Sequence, residues 1–201
     1  MDRKETEKEK MISSKLYFSG DAELTQDRLN AKEICYDFNL LRPSLREERA
    51  NLIKKLFGKT GKDICIESPF HCDYGYNIEV GNGFYTNHGC CFLDVAPIKI
   101  GENCMFGPNV GLYCAGHPID VATRNSYLEY GYPITIGDNV WIGGNVTVLP
   151  GVTIGDNTII GGGSVVTKSI PSNCIAVGNP CRVLREITEE DKNKYKQENP
   201  K

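Results

Sequence analysis

PITIGDNVWIGGNVTVLPGVTIGDNTIIGGGSVVTKS, residues 133–169, repeats itself every six residues. Ile136, Ile142, Val148, Ile154, Ile160 and Val166 stand at that spacing without a slip. After them come small or turn-forming groups: Gly137-Asp138-Asn139, Gly143-Gly144-Asn145, Pro150-Gly151, Gly155-Asp156-Asn157 and Gly161-Gly162-Gly163. Four residues after each aliphatic stands Val140, Val146, Val152, Thr158, Ser164 or Ile170. A period of six is neither the 3.6 of a helix nor the 2.0 of a simple strand. It is the signature of a stacked repeat. A short extended segment buries its aliphatic residue, and a corner rich in Gly, Asn and Asp then turns the chain, because these residues tolerate left-handed backbone angles. Three segments close one coil of 18 residues, and the next coil stacks on it in parallel. The stretch therefore predicts an all-β core built as a parallel β-helix of hexapeptides.

Working outward, the same phase reaches Ile100, Phe106 and Leu112. Ile78-Glu79-Val80-Gly81-Asn82-Gly83 and Ile98-Lys99-Ile100-Gly101-Glu102-Asn103 open coils of one design. Between them, Phe84 to Pro97 reads as irregular and carries Tyr85, Asn87, His88, Cys90, Cys91 and Asp94. The repeat then stops at AGHPIDVATRNSYLEYGY, residues 115–132, a polar insertion with His117, Asp120, Arg124, Glu129 and three tyrosines. Insertions in repeat folds gather on functional faces.

The N-terminal side is helical in pattern. Ile34, Phe38 and Leu41 predict a helix over Asp21–Leu41, which Pro43 ends. Ser44-Leu45-Arg46-Glu47 reads as a capping box. A second helix follows with Leu45, Leu52, Ile53 and Leu56 on one face, and Gly58 is a plausible stop. Past Val166 the chain leaves the coil through Gly178-Asn179-Pro180, and Thr188 caps a short helix expected to reach Glu198. The reading divides the chain into a helical cap (1–60), a β-helix carrying the insertion (61–184) and a tail (185–201).

Composition narrows the function. A net charge of −3 gives no basic nucleic-acid surface. No apolar run is long enough for a membrane span. MDRKETEKEKMISSK lacks the apolar core of a secretory signal, so a cytoplasmic setting is expected. Nine cysteines are present without a CxxC pair, which suits small, buried, reduced residues better than disulfides or zinc. Among three histidines, His117 alone sits in the insertion. An imidazole titrating near ~6.5 can take a proton from a hydroxyl close to neutral pH.

Nearly the whole chain resembles the maltose and galactoside O-acetyltransferases of the hexapeptide class, and within them the maltose branch. The resemblance rests on KLYFSGDAEL…DRLNAKEICYDFN, CDYGYNIEVGNGFYTNHGCCFLDVAPIKIGENC, AGHPID, the quoted repeat with its IP extension, and GNPCRVLREI, in that order. It implies a left-handed coil, a homotrimer with active sites between subunits, acetyl-CoA as co-substrate, a sugar acceptor and no metal. It places the general base on His117 and acceptor contacts on Asp73, Tyr85, Asn87, Asp94 and Glu129, with Asn87 also near the thioester. The coenzyme would run along Trp141, Gly144, Gly162, Thr167 and Lys168, with Arg182 and Arg185 near its phosphates. Galactoside-type members carry an acceptor-binding aspartate where this chain has Ser19, with Asp21 two places on. Two alternatives stay open: the same chemistry on a non-sugar hydroxyl such as an antibiotic's, and a catalytically silent trimeric scaffold. Asp73 and Asp94 also read as simple turn caps, Lys168 and Arg185 as solvated charges, Gly144 and Gly162 as corners, and Trp141 as a packed aromatic.

Overall fold

A computed structural model describes residues 3–194. From Lys59 onward the chain winds into a three-sided parallel β-helix, each side being one parallel sheet. The first face stacks Lys59–Thr60, Ile78–Val80, Ile98–Ile100, Ile134–Ile136 and Thr153–Ile154. The second stacks Cys65–Ile66, Tyr85–Thr86, Met105–Phe106, Trp141–Ile142, Ile159–Ile160 and Cys174–Val177, with Arg182–Glu186 antiparallel on the last. The third stacks Phe70–Cys72, Cys90–Leu93, Gly111–Tyr113, Thr147–Val148 and Val165–Val166.

The register explains the six-residue period. Ile100, Ile136 and Ile154 lie over one another on the first face. Phe106, Ile142 and Ile160 do so on the second, and Leu112, Val148 and Val166 on the third. All nine are buried, as are the six residues that follow the aliphatics of the quoted repeat by four places. Toward the N-terminal end, rings replace aliphatics: Phe57, Phe70, Phe92, Phe106 and Phe84 meet edge to face at centroid distances of 5.1–6.1 Å. Each such pair adds roughly 0.5–1.5 kcal/mol beyond its buried area.

Corners between the first and second faces use asparagine. Asn103, Asn139, Asn157 and Asn173 all have positive φ. Their side-chain amides form a ladder, each Nδ2 donating to the Oδ1 of the next coil at 3.3, 3.0 and 2.9 Å. At the next corner Gly107 and Gly143 allow coils to touch, since a Cβ on Gly143 would lie 2.5 Å from Gly162 N.

Phe84–Pro97, expected to be irregular, is a regular coil. From Val80 the inward positions run Thr86, Phe92 and then Ile100, so the last step is eight residues rather than six. The preceding coil has the same long step from Cys72 to Val80. The extra residues, Asp73–Asn77 and Asp94–Pro97, sit at the edge between the third and first faces. The insertion 115–132 leaves from the same edge one coil higher.

The open N-terminal end is covered by helices α1 (Glu7–Ile12), α2 (Ala22–Leu40) and α3 (Arg46–Leu56). Asp21 caps α2, accepting from Glu23 N and Leu24 N. Asn39 of α2 pairs with the edge strand as another strand would, accepting from Phe70 N and donating to Phe70 O, both at 2.9 Å. That blunts an edge open to further pairing. Arg49 of α3 is buried across the Phe38 ring and donates to the carbonyls of Phe38, Leu41 and Ile66.

The capping box at Ser44 does not form. The N-cap of α3 is Leu45, with no side-chain cap bond. Gly58 is not a left-handed stop either: it is there because a Cβ would collide with Tyr76 O, as its N–H reaches Gly75 O. At the far end Thr188 does form a capping box, on a 3-10 turn over Glu189–Asn193; the expected continuation to Glu198 extends past the described residues. Seven of the nine cysteines are buried and all nine are free; Cys65 is exposed and Cys91 half-buried. No helix among the described residues is long and apolar enough to cross a membrane.

Candidate active site

The insertion is tied to both the coil and the cap. Ala115–Gly116 pairs antiparallel with Leu128–Gly131, and that strand pairs on its other side with Tyr17–Phe18 of the cap. His117 follows directly after Gly116, at the root of the loop, with an exposed side chain. A short helix α4 (Val121–Asn125), capped by Asp120 through Thr123 N, forms the tip, where Ile119 stands 94% exposed.

Beside His117's loop, on the same edge, lies a polar cluster. Tyr17 Oη donates to Glu129 Oε2 at 2.7 Å. Arg28 donates to Tyr74 Oη and Ser19 O, both at 2.7 Å, and Ser19 Oγ donates to Tyr127 O of the insertion. Burial raises the Asp73 carboxyl above its usual range; Arg28 counters this and the Glu129 charge adds to it. Burial also lifts the Tyr74 phenol to about 12. These groups offer both donors and acceptors, the kind of set that reads hydroxyls.

Asp94 requires a correction. It was expected to meet the acceptor, but it is fully buried. Its Oδ1 accepts from Asp73 N at 3.0 Å and Tyr74 N at 2.8 Å, and its carbonyl accepts from Asn77 Nδ2 at 2.7 Å. Oδ2 has no partner. Burial pushes this carboxyl to about 7, against the pull of the Tyr74 amide. Asp94 holds the turn that carries Asp73 and is walled off from any ligand.

The remaining expected residues lie elsewhere. Asn87 occupies the corner between the second and third faces, in the column where higher coils have Gly107, Gly143 and Gly161. Its Oδ1 accepts from His88 N at 2.7 Å. Gly144 and Gly162 stack one above the other at this corner; a Cβ on Gly162 would meet only Gly144 O at 3.1 Å and Gly144 N at 3.7 Å. The second face beside it presents a row of outward side chains, Tyr85, Met105, Trp141 and Ile159 in register, with Met105 and Trp141 about half exposed. Arg182 is exposed on the top strand, donating to Cys181 O. Arg185 is already engaged: its guanidinium grips Asp191 through two bonds of 2.7 Å and Glu186 O. Thr167 and Lys168, expected beside Trp141 and the glycines, lie instead on the edge between the third and first faces, above the His117 loop.

One chain thus sorts the expected residues into two groups. Asp73, His117, Glu129, Thr167 and Lys168 line one edge. Tyr85, Asn87, Trp141, Gly144, Gly162, Arg182 and Arg185 line the second face and its corner. The third face separates them, and the seven steps from Asn87 to Asp94 that cross it correspond to at most about 23 Å of extended chain. A general base must come within about 3 Å of the proton it takes. Sequence reasoning missed Tyr17 and Arg28, whose contacts reach partners far along the chain and leave no periodic trace. Among the described residues no three His, Cys, Asp or Glu side chains gather as a metal site.

Comparison with known proteins adds an independent line. Residues 10–61 match the maltose acetyltransferase hexapeptide capping motif, 133–168 match the six-repeat bacterial transferase hexapeptide, and 97–121 match the hexapeptide repeat of succinyl-transferase. The galactoside O-acetyltransferase of Escherichia coli (strain K12) is 44% identical over 187 residues, covering 93% of this chain and 92% of its own. The crystal structure of a maltose O-acetyltransferase from Clostridium difficile 630 superposes with a TM-score of 0.91 at 53% identity, covering 93% of this chain and 100% of that one. A galactoside acetyltransferase in complex with coenzyme A superposes with a TM-score of 0.92 at 43% identity, covering 96% and 97%.

Proposed function

Because the chain belongs to the maltose and galactoside O-acetyltransferase family of hexapeptide-repeat proteins, we propose that it moves an acetyl group from acetyl-CoA to a sugar hydroxyl. The sites would lie between neighbouring copies of a homotrimer. The observation that carries this reading is the division of the expected residues between two edges of one prism. A head-to-tail contact between copies brings one copy's His117 edge against the next copy's Asn87 corner. Three such contacts close a ring. The smooth corner of Gly144 and Gly162, flanked by Trp141, suits a thin pantetheine arm. Lys168 and Arg182 supply charge for phosphates.

In that site His117 takes the proton from the acceptor hydroxyl as its oxygen bonds to the acetyl carbonyl carbon. Asn87, or backbone amides at its corner, donates to the oxyanion that forms. The tetrahedral carbon then expels the sulfur, and His117 returns its proton to the departing thiolate. Asp73 and Glu129 accept from acceptor hydroxyls and orient them. The test is thiol release from acetyl-CoA over maltose, glucose, galactosides and hydroxylated antibiotics. We expect acceptor-dependent release that falls about 10²–10⁴-fold in His117→Ala, with the fold intact. Wild-type kcat in that variant would remove His117 from the chemistry. Better turnover of an antibiotic than of any sugar would replace the acceptor class.

A further inference from the structure

Tyr17 lies on the cap, 112 residues from Glu129 in sequence, and no expected role attaches to it. Its ring is fully buried, so a phenylalanine would fill the same space. Its hydroxyl nevertheless reaches the Glu129 carboxylate at 2.7 Å. Backbone pairing fixes the approach: Tyr17 stands opposite Glu129, and Phe18 opposite Leu128. The same strand pairs through Tyr130 with Gly116 and through Gly131 with Ala115. One further step of that register sets His117 across from Glu129. Burial and the neighbouring carboxylate both raise the Tyr17 phenol, which therefore stays protonated and donates to Glu129. Oε2 of Glu129 is thereby committed to Tyr17, and Oε1 carries no hydrogen bond among the described residues.

We infer that Tyr17 is a positioning residue: it locks Glu129 and the root of the His117 loop to the cap, leaving the second Glu129 oxygen aimed at an acceptor hydroxyl. The inference rests on the acetyltransferase reading for its catalytic consequence, but not for its structural one. A hydroxyl donating to a carboxylate is among the stronger neutral-to-charged bonds. Its loss frees Glu129 to rotate without emptying the core.

The variant is Tyr17→Phe in the full chain, with two readouts. Hydrogen exchange of residues 115–131 should speed up about ten-fold, while exchange through local opening of the coils holds and the melting temperature falls by only about 2–5 °C. In steady-state kinetics, kcat/KM for the acceptor should fall about ten-fold with the KM for acetyl-CoA within two-fold. Glu129→Gln should cost less in the Tyr17→Phe background than in wild type, because both changes break one contact. Unchanged exchange in the loop overturns the inference whether or not any acceptor is turned over. An equal loss for both substrates also overturns it, since a general structural role would give that. Absence of transfer by wild type with every acceptor, beside faster loop exchange in the variant, would instead sink the acetyltransferase reading and leave the lock standing.

Discussion

Asp94 shows how much one buried carboxylate can decide. Its Oδ1 organises the Asp73–Tyr74 turn, while Oδ2 has been stripped of water and given nothing in return. Burial raises its pKa to about 7 from a reference of 3.8. The folded state then holds the proton more tightly than the unfolded chain, so the stability tied to it is full below pH ~4 and is lost as pH rises toward ~7. The loss is about 4 kcal/mol over that window, at 1.36 kcal/mol per unit. Asp94→Asn keeps an oxygen for the two amides and has no proton to release. Urea unfolding at pH 5 and pH 7.5 should therefore show a wild-type decline that is much flatter in the variant. Parallel declines would mean that other groups set the pH response. Tyr17 belongs to the same scale, since its effect too is that of one polar atom in an otherwise apolar packing.

At the scale of elements, the coil depends on corners more than on strands, because two-residue strands carry little pairing of their own. Asn157 combines two corner duties, a φ of 55° and a place in the amide ladder between Asn139 and Asn173. Asn157→Gly removes the ladder bonds alone and should cost about 1 kcal/mol. Asn157→Ala also forces a Cβ into the left-handed region and should cost roughly 2–3 kcal/mol. Chemical denaturation of the two variants separates the duties; equal costs would assign everything to the ladder. This division also explains what the sequence made legible. From Gly137 to Gly163 every corner is a Gly- or Asn-marked hexapeptide, and the period is plain. In the lower coils the step from Cys72 to Val80 and from Phe92 to Ile100 gains two residues, and the period vanishes although the coil does not. The capping box at Ser44 was a local signal overruled by packing, with Leu45 taking the cap position. His117 was visible as an interruption of a repeat. The contacts near it, Tyr17 to Glu129 and Arg28 to Tyr74, join distant segments and were not.

At the scale of the molecule, the proposed function puts half a site on each of two edges of one prism, and that makes assembly testable by mixing. His117→Ala leaves the Asn87 corner intact, and Asn87→Ala leaves the His117 edge intact. In either variant alone, every site lacks one partner. If copies assemble as the proposed trimer, denaturing the two together and refolding them at equal ratio scrambles them, and about three-quarters of the trimers become mixed. In a head-to-tail ring with both variants present, one contact in three joins an intact His117 edge to an intact Asn87 corner. About a quarter of all sites are then wild type, and the mixture should regain about a quarter of wild-type activity. Wild type carried through the same refolding supplies the reference. Sites built within one chain would give the opposite result, because no exchange of copies can join His117 to an Asn87 that the same chain has lost. The mixture would then stay at the mean of its two parents. The recovered fraction thus reads the architecture directly, and the choice of acceptor does not enter it, since the same acceptor serves every arm of the comparison.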